Sequence, residues 1–418
     1  MKKIVLSSLA ALTLGSVVAN ANEIKLYQDA NGQVWTKAGE GRTELKSKKT
    51  SIFAHADKLK FSGQAFIGFT ANDYKDGQIR DVTNPSIGAN GVPAKYEKDK
   101  NAFNIRRGYF QLKAYLMDDP KSYYRVTFDV KQKDDGYDGD SIMVRTKYAY
   151  VNLNEVLPAT SLEIGLAHRP WHDYEEHNSW LYRSISEILV EDHNGAHLSN
   201  SADLGVMAKT RTKFFDADVG VFNGEGYHEL QNDGDGLSLE WRFTGHLLGT
   251  HGKPTKTTYL DASFYGQYNV KHYEDTDTSG NKHWDDLRFY GLHAVYNMPS
   301  FLIAAQYITS DNTASNSTYT SKGAGNGYGA NAEVRLGSEK QYKMLARYDS
   351  WTPDKKESSD EYEQRTYIVG AAWTQNRNIE WVANATITDN EKGKNDTTAS
   401  DREAYNGVAY MITAEIKF

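Results

Sequence analysis

The sequence contains no cysteine, few prolines and almost no long apolar runs. Because none of its 418 residues is a cysteine, disulfides cannot contribute to its stability. Mean hydropathy is -0.67, and the one long apolar run lies at the start of the chain, which excludes a bundle of transmembrane helices. The net charge of -7 argues against nucleic acid as a partner, because proteins that bind a polyanion present a basic surface.

The first 21 residues have the pattern of a secretory signal peptide. Lys2 and Lys3 precede an apolar stretch over 4–18, and Ala19-Asn20-Ala21 offers small residues for cleavage. We predict a signal peptide over 1–21, and a retained membrane anchor is the alternative. Residues 22–57 are predicted to form a periplasmic N-terminal extension, with a small hairpin about Asn31-Gly32.

Apolar and polar residues alternate along much of the remaining chain. A period of two is typical of β-strands, and the segment lengths suit a tilted membrane-spanning strand of about 10 residues. Sixteen segments show this pattern, at 58–70, 103–117, 122–132, 142–153, 161–169, 199–209, 214–223, 236–244, 257–270, 286–297, 301–309, 326–336, 341–351, 364–375, 378–388 and 405–418.

The connectors between these segments mostly alternate between long and short. Residues 71–102 and 310–325 are long, whereas "DDPK", "GSEK" and "NR" are tight turns. Outer-membrane barrels have long external loops, short periplasmic turns and an even number of strands. We therefore predict an all-β fold, a transmembrane antiparallel up-and-down β-barrel of about sixteen strands over 58–418. The short connector 133–141 and the long connector 245–256 leave the count open by two strands, and a soluble sandwich or propeller is the alternative.

The aromatic residues and the last segment also favour a bacterial outer-membrane location. The chain has 28 tyrosines and 8 tryptophans, whose apolar rings and polar tips suit the membrane interface. In the last segment, Tyr410 and Ile412 are expected to face lipid, and Glu415 and Lys417 the lumen. A terminal aromatic such as Phe418 resembles the signal by which the barrel-assembly machinery recognises its clients.

The third long connector, over 170–198, is predicted to fold into the lumen and to narrow it, in part as a short helix. Its aromatic and charged residues could form a constriction, because the selectivity of a channel depends on pore width and charge. The residues predicted to do so are Trp171, Asp173, Glu175, Glu176, Trp180 and Arg183. The alternative is an external loop that only shields the surface.

Basic residues on the early strands are predicted to form the opposite wall of the constriction. A basic wall facing an acidic loop would produce a transverse field across the pore. The candidate pore-lining residues are Arg107, Lys113, Arg125, Lys131, Arg145, Lys147 and Arg169. The alternative is that these charges only keep the interior wet or form cross-strand ion pairs.

We predict no metal site, no cofactor and no enzymatic activity. His193 and His197 are four residues apart, but no third ligand at suitable spacing joins them. We favour a pH-sensitive constriction over a metal site as the use of the histidines in this loop, because imidazole titrates near neutral pH. The stretch "NDGDGLSLE" fails as an EF-hand, because Arg242 falls where a bidentate Glu is required. The carboxylate-rich loop over 134–140 could bind divalent ions weakly. The sequence has no G-x-S-x-G, H-E-x-x-H or P-loop pattern.

Several stretches resemble the phosphate-selective porin O and P family of outer-membrane proteins. These are "SLEIGLAHRPW" at 161–171, "DVGVFNGEG" at 218–226 and "TYIVGAAWTQNRNIEWVANATITD" at 366–389, together with the closing strand. The resemblance implies a sixteen-stranded, trimeric, passive diffusion channel whose inward-pointing arginines and lysines attract anions.

The sequence thus predicts an outer-membrane porin that passes small hydrophilic solutes and ions with a mild anion preference. Its expected partners are outer-membrane lipid and lipopolysaccharide, small hydrophilic solutes or anions, the barrel-assembly machinery and two further copies of itself. The alternative function is a surface structural protein or adhesin, in which the barrel is only an anchor and the long loops 71–102 and 310–325 act.

Overall fold

The structure of the protein is a computed structural model. It describes residues 27–29, 34–35, 38–44, 58–74, 101–116, 119, 121–132, 142–192, 194–228, 231, 235–276, 282–312, 324–353, 363–390 and 406–418. The chain divides into two compact units, residues 1–57 and 58–418. The predicted signal peptide, the acidic loop 134–140, His193 and most of the loops 71–102 and 310–325 lie outside the described residues.

The described residues of the first unit form three short antiparallel strands. They are β1 (Tyr27–Asp29), β2 (Val34–Trp35) and β3 (Arg42–Glu44), in the order β2-β1-β3. Tyr27 pairs with Trp35, as a hairpin about Asn31-Gly32 requires, although the turn itself lies outside the described residues. The assignment of 22–57 as a periplasmic extension stays a prediction.

The second unit is a closed antiparallel barrel of sixteen strands, as predicted. Its strands are β4 (Leu59–Tyr74), β5 (Asn101–Tyr115), β6 (Tyr123–Gln132), β7 (Ile142–Leu157), β8 (Thr160–His168), β9 (Ala202–Arg211), β10 (Phe215–Phe222), β11 (Ser238–His246), β12 (Tyr259–Thr276), β13 (Lys282–Met298), β14 (Phe301–Asn312), β15 (Gly325–Leu336), β16 (Tyr342–Pro353), β17 (Gln364–Asn376), β18 (Ile379–Thr388) and β19 (Gly407–Lys417). Each strand pairs with its neighbours in sequence, and β19 closes the barrel on β4. The unusual lengths of the connectors 133–141 and 245–256 therefore do not change the predicted number of strands.

The seam between β19 and β4 continues to the last residue. The Phe418 N–H donates to the Gly63 carbonyl oxygen at 3.0 Å, and the Gly63 N–H donates to the Phe418 carbonyl oxygen at 2.9 Å. The Phe418 ring lies over Gly63, where any Cβ would overlap it. The absence of a side chain at Gly63 therefore makes room for this aromatic ring at the rim of the barrel.

The alternation in sequence becomes an apolar outer face and an inner face that carries most of the buried polar and charged residues. Along β19, Tyr410 and Ile412 are each 55% exposed on the outer surface, whereas Met411, Thr413 and Glu415 are buried on the inner side. The same pattern recurs on other strands, where large apolar side chains are the exposed ones. Such an outer band is suited to hydrocarbon, where exposed Lys or Arg would cost about 2–4 kcal/mol at mid-depth.

Two bulges change the phase of this alternation and bring extra charges to the inner face. In the β4–β5 pair the register shifts between Phe66 and Ile67, which leaves Arg106 as the additional residue beside Arg107. In the β6–β7 pair it shifts after Thr127, which leaves Lys147 as the additional residue beside Tyr148. These pairings define the register of β7 against β6.

The third long connector begins with a short helix, as predicted. Helix α1 spans Pro170–Asn178. Pro170 occupies its first turn, where the missing N–H is harmless, and Asp173 lies in the first turn, where a negative charge is favourable. No helix in the described part of the chain is long and apolar enough to cross a membrane.

The connector and one side of the barrel share an apolar cluster inside the lumen. Trp171 stacks on the Tyr265 ring of β12 at 3.7 Å between centroids. The buried members contributed by the connector are Trp171, Tyr174, Trp180, Tyr182, Ile185, Ile188, Leu189, Val190, Ala196 and Leu198. They pack against inward-facing residues of β12–β19, so this half of the wall is covered.

Candidate channel constriction

Hydrogen bonds fix the third connector inside the barrel at points around its wall. The Tyr174 hydroxyl donates to Asp261 Oδ2 of β12 at 2.9 Å, and Asn331 Nδ2 of β15 donates to the Ser179 carbonyl oxygen at 3.1 Å. Farther along, Asn194 Nδ2 donates to Thr366 Oγ1 of β17 at 2.9 Å. The prediction of an inward-folded loop is confirmed, and a loop that only shields the outside is excluded.

A cavity of about 520 Å3 lies between the loop and the opposite wall. Strands β4–β9 and β19 form the wall, and α1 and the residues after it form the other side. The lining charged and histidine side chains are Arg125, Lys147, Glu163, His168, Asp173, Glu176, His177, Arg183, Lys209, Glu415 and Lys417. Its lining aromatic residues are Phe66, Tyr109, Tyr123, Tyr148 and Tyr150.

Arg125 and Lys147 are the predicted basic wall residues that line this cavity. The Arg125 guanidinium carbon lies 4.6 Å from the Tyr148 ring centroid, and among the described residues it hydrogen-bonds to Thr127, Tyr150 and His168, and to no carboxylate. Lys147 Nζ lies 4.9 Å from the Tyr109 ring centroid. Aromatic faces hold a cation without neutralising it, so both residues bring positive charge to the cavity.

The loop presents carboxylates to the same cavity. Burial by itself would raise the pKa of the Asp173 carboxyl, but the neighbouring His168, His177 and Lys209 hold that pKa well below its usual value. Arg183 is surrounded by acids, with Glu191 at 2.7 Å, Glu176 at 3.3 Å and Glu187 at 3.4 Å. The loop therefore carries more acidic than basic side chains on the side that faces the basic wall.

Three other predicted wall residues engage partners near the cavity without lining it. Arg107 Nη1 and Arg145 Nη2 bind the same oxygen, Asp129 Oδ2, at 2.8 and 2.9 Å. Lys113 Nζ lies 4.1 Å from the Tyr123 ring centroid. The side chain of Lys131 lies outside what the structure describes. The cross-strand pairing that was the alternative for this group applies to Arg107 and Arg145.

Arg169 anchors the base of the loop and does not line the cavity. Its side chain is 2% exposed and lies between Asp203 Oδ2 at 3.1 Å and Glu240 Oε1 at 2.9 Å. Its guanidinium also donates to the carbonyl oxygen of Gly224 at 3.0 Å. Because two buried acids and a carbonyl already surround it, we assign Arg169 to holding the loop and not to ion selectivity.

The predicted constriction residues separate into two groups. Asp173, Glu176 and Arg183 line the cavity. Trp171 and Trp180 belong to the apolar cluster, which seats the loop on the wall. Glu175 is also buried and accepts a hydrogen bond from Gln306 Nε2 of β14 at 2.6 Å.

The sequence reasoning missed several residues at this site. Arg106, brought inward by the β5 bulge, donates to the Ile185 carbonyl oxygen of the loop at 3.2 Å. Asp129 organises Arg107 and Arg145, and Lys209 lines the cavity, where it contacts Glu163 at 3.2 Å. Tyr148 and Tyr150, two residues apart on β7, were the available signal for the aromatic lining.

The Glu175 carboxyl gives a prediction about pH. Burial raises its pKa from 4.5 to about 7. A raised pKa in the folded state means that the charged form destabilises the fold above pH 7, and that this cost disappears below about pH 4.5. The cost at high pH is about 3 kcal/mol as an upper estimate. Glu175→Gln should therefore raise the thermal unfolding midpoint at pH 8, with the gain shrinking to nothing near pH 4.5.

The measurement is thermal unfolding of both proteins in detergent across this pH range. Glu339→Gln, which changes an exposed carboxyl on the turn after β15, is the matched control and should show no such trend. A gain for Glu175→Gln that is the same at every pH would contradict the assignment.

Comparison with known proteins establishes the fold. No family model matches the sequence, and no curated protein matches it. OmpT, an outer-membrane protein of Vibrio cholerae, is 12% identical over 86% of this chain and 97% of its own, with a TM-score of 0.53. The anion-selective porin of Comamonas acidovorans is 12% identical over 86% and 98%, with a TM-score of 0.54. The outer-membrane channel DcaP of Acinetobacter baumannii is 12% identical over 86% and 97%, with a TM-score of 0.52. This chain therefore has the sixteen-stranded barrel fold of the bacterial outer-membrane porins.

Proposed function

We propose that the protein is an outer-membrane porin, a passive diffusion channel for small hydrophilic solutes and ions with a mild anion preference. The observation that carries the proposal is the inward-folded loop, which leaves a polar cavity with basic residues on the wall and acidic residues on the loop. Field lines in a narrow, low-dielectric slot are focused between such surfaces. The apolar outer surface of the barrel supports a place in the membrane.

The charges of the cavity support a mild preference and not a strong one. Arg125, Lys147 and Lys209 favour anions, but Asp173 and Glu176 lie across the same space. An anion near the wall is therefore attracted, and an anion near the loop is repelled. We infer that inorganic anions and small anionic solutes pass more readily than cations, by a modest factor.

Assembly and family are further parts of the proposal. We propose a homotrimer, delivered by the barrel-assembly machinery and surrounded by outer-membrane lipid and lipopolysaccharide, after removal of residues 1–21. One structure of OmpT from Vibrio cholerae is of a trimer form. Membership of the phosphate-selective O and P family stays a prediction that rests on the sequence motifs, since no family model matches.

Conductance of the purified protein tests the channel. We expect stepwise, ohmic current increases when the detergent-solubilised protein is added to a planar lipid bilayer, and a zero-current potential in a salt gradient whose sign indicates anions. Protein that inserts, as judged by protease protection in vesicles, yet gives no current would refute the channel. A cationic zero-current potential would refute only the anion preference.

A barrel-anchored surface structural protein or adhesin is the second candidate. The observation in its favour is the apolar cluster, which fills one side of the lumen with buried side chains of the loop. The conductance measurement separates the two functions, because an anchor with an occluded lumen inserts without conducting.

A further inference from the structure

Three potential metal ligands meet at the short-turn end of the barrel. His246, His251 and Asp261 each bring a ligand atom within 4.8 Å of the others. We propose that these residues bind a divalent transition-metal ion, and that Zn2+ is the ion their chemistry fits best. The site lies apart from the cavity and does not depend on the proposed channel function.

Strand register builds the site. His246 is the last residue of β11 and pairs directly with Asp261 of β12. Both side chains point inward and are almost completely buried. The connector between the two strands brings His251 over them, with its ring 4.6 Å from the His246 ring. The three residues are therefore held by two paired strands and their own turn.

The hydrogen bonds around the cluster are those that support metal ligands. Nδ1 of His246 lies 2.8 Å from Asp261 Oδ1, and Nδ1 of His251 lies 3.2 Å from Asp261 Oδ2. The other nitrogen of His246, Nε2, faces Asp216 Oδ1 at 3.4 Å. A histidine that binds a metal usually donates its second ring N–H to a carboxylate, as this one would. The Tyr174 hydroxyl orients Asp261 in the same way from α1, at 2.9 Å.

Charge and access also suit a cation. Asp216 is buried and pairs with Arg211 Nε at 3.4 Å. Asp261 is also buried, and among the described residues it has no Lys or Arg partner. Buried charges in proteins are paired or coordinate metals. A metal ion would replace the protons that the two imidazoles share with Asp261. Two imidazoles and one carboxylate are a known ligand set for Zn2+ with a fourth position open to water. The His251 side chain is 35% exposed, which gives an ion a way in.

Direct binding to the full-length protein tests the proposal. The detergent-solubilised protein is stripped with a chelator and titrated with Zn2+ by calorimetry, and with Co2+ to read the coordination geometry from its visible spectrum. We expect one ion per chain and a tetrahedral Co2+ spectrum. His251→Ala should remove the spectrum and weaken Zn2+ binding at least tenfold. Asp216→Ala keeps all three ligands and should weaken binding by about 10–100-fold through loss of the supporting hydrogen bond.

His177→Ala is the matched control. His177 is an exposed histidine whose Nδ1 lies 3.6 Å from Asp173 Oδ1, and it is not one of the three proposed ligands. Its removal should leave Zn2+ affinity unchanged. No saturable binding to the wild type, binding that survives His251→Ala, or an equal loss in His177→Ala would each overturn the proposal. Because His251 is on an exposed turn, the folded barrel should survive its replacement, which circular dichroism checks.

Discussion

Replacing Arg125 by glutamate is expected to turn the channel toward cations. Arg125 lines the cavity, is held by aromatic rings and hydroxyl groups, and faces Asp173 and Glu176 across the lumen. A unit charge about 6 Å from a permeating ion changes its energy by about 1–3 kcal/mol between aqueous and protein-like dielectrics. Reversing that charge changes the energies of anions and cations in opposite senses by twice this amount. Even after screening by salt, the anion-to-cation permeability ratio should therefore fall by at least about tenfold.

The zero-current potential across a bilayer with a salt gradient measures this ratio. Arg125 is a better choice than Arg107, because Arg107 is bound to Asp129 at 2.8 Å and its reversal would also break that pair. Lys213→Glu makes the same charge change on the turn after β9 and serves as the control. If Arg125→Glu moved the potential no more than Lys213→Glu does, the basic wall would have no part in selectivity.

The strands could be predicted from sequence because their signal is local. Alternation within each segment predicted all sixteen strands of the barrel. The contrast between long and short connectors indicated which strand ends lie on the outer side and which on the periplasmic side. The inward loop could also be predicted, since "RPWHDYEEHNSWLYR" combines aromatics and charges that an external loop does not need.

The phase of two strands and the pairing of charges could not be predicted. A bulge adds one residue, and a period of two does not show whether Lys147 or its neighbour is the extra one. Ion pairs such as Arg145 with Asp129 depend on which residues face each other across strands, which is a matter of register. For the same reason the sequence does not reveal His246 as a candidate ligand, because it meets Asp261 only through the β11–β12 register.

Register also explains how the loop is seated. The wall of β15 and β16 carries buried arginines that are paired with acids of the same strand, as in Arg347 with Asp349 at 2.6 Å. Such pairs leave little net charge on this side of the wall. The apolar side chains of the loop can therefore pack against it. Arg125, which hydrogen-bonds to no carboxylate among the described residues, lies on the opposite wall, which the loop leaves free. The side of the lumen on which the loop is seated is thus the side where arginines pair with acids of their own strand.

Replacing Trp180 by alanine is expected to release the loop without unfolding the barrel. Trp180 is 1% exposed, packs edge-on to Tyr182 at 5.5 Å between centroids, and lies 4.7 Å from the Arg347 guanidinium carbon. Its indole N–H donates to the Ser186 carbonyl oxygen at 3.1 Å. Loss of a buried tryptophan typically costs about 3–5 kcal/mol. The strand ladders do not involve Trp180, so this cost falls on the seating of the loop.

A released loop should change both the current and the accessibility of the chain. We expect the single-channel conductance of Trp180→Ala to rise several-fold and to fluctuate, because the lumen is widened whenever the loop leaves the wall. Trypsin should then cut after Arg183, which its three carboxylate partners now hold in place. Trp381→Ala removes a tryptophan that is 40% exposed on the outer surface, and it should leave both readings unchanged. Suppose that Trp180→Ala keeps both the wild-type conductance and the wild-type resistance to trypsin. The hydrogen bonds that Tyr174 and Asn194 donate, and the one that the Ser179 carbonyl oxygen accepts, would then hold the loop by themselves, and the apolar cluster would not set the width of the pore.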